Sequence, residues 1–107
     1  MSFSVAEISS VPDYQTKNSN FKIICDFIGT ESPVAVKWFY KAPHEAMSML
    51  LGNGEESFDI TVNSKQTILT KRYPTLDDAG EYSCLFEMEM KPEITSSARI
   101  HVAGPSK

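Results

Sequence analysis

The chain has 107 residues, 41% hydrophobic and 22% charged, and its 10 Lys and Arg against 14 Asp and Glu give a net charge of −4 with both His neutral. That length holds one core and leaves no room for a second. An acidic balance argues against nucleic acid or an anionic membrane as partner, because both reward clustered Lys and Arg. No run approaches the roughly 18 consecutive apolar residues of a membrane span. Ser2-Phe3-Ser4-Val5-Ala6-Glu7 lacks the basic start and apolar stretch of a signal peptide, so a secreted or anchored parent would carry its membrane signals outside this chain.

Period-two alternation with turn punctuation recurs along the chain, and helix is expected for about a turn at most. Phe3 to Ile8 reads as a first edge strand, broken near Pro12, which sits only where no ladder donor is required. From Phe21 to Phe27 the residues Phe21, Ile23, Cys25 and Phe27 share one face. From Val34 to Lys41, the residues Val34, Val36, Trp38 and Tyr40 point one way and Lys37, Phe39 and Lys41 the other. Met47, Met49 and Leu51 alternate like a short extra strand, followed by the turn residues Gly52-Asn53-Gly54. Phe58, Ile60 and Val62 read as the next strand and Gln66 to Tyr73 as its partner, with either Ile68 or Leu69 inward. Leu76 to Gly80 makes a corner, Glu81 to Met88 a strand, Ser97 to Val102 the last strand and Ala103 to Lys107 a linker. The expected organisation is one domain over 1–102 and a tail over 103–107.

Two cysteines leave two readings open, a structural disulfide or a pair of buried reduced thiols. A bridge over that loop would stabilise the fold by about 4 kcal/mol and imply an oxidising compartment. A metal site fits poorly, since there is no C-x-x-C and His44 and His101 lie far from both cysteines. Neither His belongs to a nucleophile motif, no phosphate loop appears, and Asp77-Asp78 and Glu55-Glu56 lack the spacing of a calcium cage. No catalytic residue, metal or cofactor is expected. No Asn-x-Ser/Thr sequon occurs.

Cys25, Trp38 and the run Leu76-Asp77-Asp78-Ala79-Gly80-Glu81-Tyr82-Ser83-Cys84 resemble the immunoglobulin superfamily over nearly the whole chain, nearest its intermediate-type domains. The resemblance implies an all-β, two-sheet antiparallel Greek-key β-sandwich. In it Cys25 and Cys84 bridge the sheets, Trp38 packs over the bridge, and Leu76, Asp78, Gly80 and Tyr82 belong to the core motif, with the Tyr82 hydroxyl bonded back to the corner backbone. Two features depart from the variable-type pattern and argue against an antigen-receptor role. Glu55-Glu56-Ser57-Phe58 offers no base to pair with the corner Asp, and Ala98-Arg99-Ile100-His101-Val102 lacks a glycine-rich bulge.

The expected function is a non-catalytic extracellular module of a cell-surface receptor or adhesion protein whose partner is another protein. Strand parity turns Phe39 and Leu85 outward with Lys37, Lys41, Ser83 and Glu87 around them, an apolar centre with a charged rim. The loop from Glu87 to Ile94, with Glu87, Glu89 and Met90, is a second candidate suited to a basic partner, and Ile24 and Ile28 form a third patch. The alternative is a structural link in an intracellular, cytoplasmic or sarcomeric, tandem array.

Overall fold

The computed structural model describes residues 5–11, 14–16, 21–63, 65–72 and 75–103. Nine strands run in chain order: β1 (Val5–Val11), β2 (Tyr14–Thr16), β3 (Phe21–Ile28), β4 (Ala35–Lys41), β5 (Met49–Leu51), β6 (Phe58–Asn63), β7 (Gln66–Lys71), β8 (Gly80–Met88) and β9 (Lys91–Ala103). Single 3₁₀ turns at Glu55–Ser57 and Leu76–Asp78 supply the helix among the described residues. The strands form a four-stranded sheet ordered β1-β3-β7-β6 and a five-stranded sheet ordered β2-β9-β8-β4-β5. The chain is thus an all-β two-sheet sandwich. Its pairings are antiparallel except β2 with β9, which run parallel.

Alternation carries the core. β3 buries Phe21, Ile23, Cys25 and Phe27 and leaves Lys22, Ile24, Asp26 and Ile28 at least partly exposed. Trp38, Leu51, Phe58, Leu69, Tyr82, Cys84, Phe86 and Ile100 close the same cluster from the other strands. Leu69 is the inward residue of β7, and Ile68 points out.

Several boundaries depart from the sequence expectation. The last strand starts at Lys91 instead of Ser97, so the expected loop from Glu87 to Ile94 is a two-residue turn, Glu89-Met90, between paired strands. Val34 lies outside β4 and is 63% exposed, because β4 begins only at Ala35, where pairing with Glu87 starts. The extra strand is Met49–Leu51, with Leu51 buried and Leu50 outward. Ala103 ends β9 rather than opening a linker. Residues 104–107, Phe3, Pro12 and Tyr73 lie outside the described residues.

Candidate functional site

The outward sheet face is held in place by a pin and a corner. Cys25 and Cys84, both fully buried, form a disulfide with their Cα atoms 6.5 Å apart. Trp38 stands opposite Cys84 on β4, and its indole Nε1–H donates at 2.9 Å to Thr67 Oγ1, which stands opposite Cys25 on β7. The indole therefore spans the two layers beside the sulfur bridge, and its buried donor is satisfied. Thr67 passes the chain on, donating at 2.9 Å to the Thr61 carbonyl.

At the corner, the Tyr82 hydroxyl donates to the Asp78 carbonyl at 2.6 Å, and the Tyr40 hydroxyl donates to the Asp77 and Ala79 carbonyls at 3.0 and 2.7 Å. Thr75 and Asp78 cap the 3₁₀ turn reciprocally. Burial raises the Tyr82 pKa well above the ordinary phenol value, with the Asp78 carboxylate and Tyr40 adding to the shift. Burial also raises that of Tyr40, with Asp78 and Asp77 adding.

Asp78 has a base that the sequence pattern does not place. Lys71, at the end of β7, lies 3.6 Å from Asp78 Oδ1 and 4.5 Å from the Phe58 ring centroid. Its only sequence signal is a cation closing an alternating strand. Leu76, expected in the core motif, is 52% exposed, because the 3₁₀ turn that carries it runs along the end of the sandwich.

On the outward face, Phe39 stands between Ser83 of β8 and Leu50 of β5, while Leu85 stands between Lys37 of β4 and Thr95 of β9. Phe39 and Leu85 are diagonal neighbours rather than a directly opposed pair. The short strand β5 extends the sheet beside Phe39 instead of covering it, which adds Leu50, 57% exposed, to the apolar centre. Around that centre lie the Lys37–Glu87 ion pair at 3.6 Å and the row Lys41, Glu81, Arg99. Ser83 and Ser97 hydroxyls meet at 2.7 Å.

The hairpin tip is anchored from below. Lys91 pairs with Glu31 at 2.7 Å, and the Val34 amide donates to the Glu87 carbonyl at 2.8 Å. Met90 has φ 59°, a left-handed conformation rare for a residue with a side chain, and is 98% exposed. Met88 instead turns back against the core. Glu87 and Glu89 flank this tip. On the opposite sheet Ile28 is 47% exposed and Ile24 half-buried.

His44 and His101 are exposed. No group of three metal-competent side chains occurs among the described residues, and no described helix is long and apolar enough to cross a membrane. The buried disulfide suggests an oxidising compartment.

No family model matches this chain, and no curated protein matches it. The fold is shared with a chain in a solved structure on the structural basis of T cell specificity and activation by the bacterial superantigen toxic shock syndrome toxin-1. The two agree with a TM-score of 0.74 at 18% identity, over 92% of this chain and 99% of that one. At that identity the likeness defines a class, the two-sheet β-sandwich, and carries nothing about ligand.

Proposed function

We propose that this chain is a non-catalytic immunoglobulin-like module that recognises another protein at the cell surface or outside the cell. The observation that carries the reading is the outward face of the five-stranded sheet, where Leu50, Phe39 and Leu85 form an apolar centre. Charged side chains rim it on three strands, the layout of a protein contact rather than of a small-molecule cleft. The tyrosine corner, and the disulfide with Trp38 beside it, support the immunoglobulin-like assignment. The buried disulfide supports the extracellular setting.

The test is a binding screen of the wild-type chain against purified extracellular proteins, repeated with Phe39→Glu/Leu85→Glu. Both side chains are only half-buried and outside the core cluster, so the double variant should unfold within about 1 kcal/mol of wild type. It should lose the wild-type interaction. Equal binding by the double variant removes this face.

A second reading, a structural link in a tandem array, is favoured by one observation. β1 starts at the end of the sandwich that carries the 29–34 loop, and β9 finishes at the end that carries the corner, so the described chain enters and leaves at opposite poles.

A further inference from the structure

The corner end of the five-stranded sheet holds a cavity of about 240 Å3 walled by Lys41, Pro43, Ala79, Ile100, Arg99 and His101. Its floor is Ala79, the residue before β8, with β4 on one side and β9 on the other. The inward side of Gly80 is closed by the Tyr40 ring and the Lys41 carbonyl, so the cleft opens only outward. The rim is basic. Lys41 and Arg99 face Glu81 from either side in direct register, two cations to one carboxylate, and His101 follows Arg99 on the same rim. None of Lys41, Arg99 and His101 forms an ion pair among the described residues. This surplus of positive charge stands in a chain whose net charge is −4.

The volume falls below the roughly 300 Å3 at which cofactor-sized sites begin. It suits one side chain, one chain terminus or a short-chain acid. We propose that this cleft binds a carboxylate carried on a short apolar stem, with the stem against Ala42, Pro43 and Ala79 and the carboxylate held by the Arg99 guanidinium and the Lys41 ammonium. Arg99 supplies a planar fork that matches a carboxylate's two oxygens, and Lys41 a point charge from the opposite wall. Glu81 competes for both cations and so limits affinity. The site goes beyond the apolar centre of Phe39, Leu50 and Leu85, although Lys41, Glu81 and Arg99 also rim that centre; small-acid binding read at Ala79 and His101 can fail while partner binding through Phe39 and Leu85 stands, and the reverse.

The experiment is a titration of the whole 107-residue chain, followed by amide nitrogen–proton NMR. The probes are hexanoate, an N-acetylated peptide ending in Phe-Glu, and hexylamine. Saturable shifts confined to Ala79, Gly80, Ile100 and His101 are expected with an acid probe and absent with hexylamine. Arg99→Gln, at an exposed position, should weaken binding roughly tenfold, the loss of one charge-assisted contact, while Glu81→Gln should tighten it. A response to hexanoate, with or without the peptide, identifies a free small acid as the source. A response to the peptide alone identifies an acidic residue of a partner protein. No saturable shift with either acid, an equal response to hexylamine, or unchanged affinity in Arg99→Gln overturns the site.

Discussion

At Gly80 the backbone sits at φ +151°, and a Cβ there would lie 2.6 Å from the Lys41 carbonyl oxygen and 2.8 Å from Tyr40 Cε1. Both the dihedral and the close backbone approach require glycine, so Gly80→Ala should lose about 2–4 kcal/mol in denaturant unfolding. An unchanged midpoint would mean that the corner backbone relaxes freely. Tyr82, two residues on, sets a pH limit. Its pKa is raised in the folded chain, mainly by burial, so below the unfolded phenol value near 10 both states keep the proton and the contribution is constant. Above about pH 10 the unfolded chain sheds that proton first, binds fewer protons than the folded chain, and stability falls by about 1.4 kcal/mol per pH unit. Tyr40 acts in the same direction. Thermal unfolding of Tyr82→Phe should start from a lower stability at neutral pH, having lost the bond to the Asp78 carbonyl, yet decline less steeply in alkali. An identical alkaline slope would contradict the buried phenol.

Among the elements, two ion pairs with similar chemistry should differ in weight. Lys91–Glu31 is half-exposed on both sides, 51% and 43%, whereas Lys71–Asp78 is 10% and 16% exposed. Lys91→Ala should therefore cost less than about 1 kcal/mol in urea unfolding. Lys71→Ala should cost about 3 kcal/mol, since it leaves the Asp78 carboxylate largely buried without that partner. Comparable losses would contradict the burial difference. The strands also differ in how plainly their residues announce them. β3 is legible in the sequence because Phe21, Ile23, Cys25 and Phe27 recur at every second position with Lys22 and Asp26 between them, Ile24 being the one apolar exception, and a one-residue slip would bury Lys22 and Asp26. β5 is legible as a short extra strand from the alternation of Met49 and Leu51, but because Leu50 between them is apolar as well, periodicity does not mark it as the outward residue. Leu50 therefore escapes a parity argument that does place Phe39 and Leu85 outward. The parallel pairing of β2 with β9 rests on backbone contact at a sheet edge, which leaves no alternating signature. Lys71 is equally silent, because its partner is set by tertiary approach of the β7 end to the corner.

Across the whole molecule, the fold and the face depend on the pin that joins the two layers. Cys25 and Cys84 sit in adjoining sheets, with Trp38 bridging from the strand opposite Cys84 to the residue opposite Cys25. The face this creates is also polar along its length. Glu87 and Glu89 lie near the hairpin, while Lys41, Arg99 and His101 lie near the corner, so a partner docking along the strands would meet opposite charge at its two ends. The extracellular reading requires that the sulfur bridge exist in the native protein, not merely that two thiols be buried close together in the two-layer core. The most direct measurement is a thiol count, under denaturing conditions without reductant, on the protein isolated from its natural source after alkylation of free thiols at lysis. No free thiol is predicted. Two free thiols per chain would contradict the bridge, remove the support for an oxidising compartment and favour the tandem-array reading.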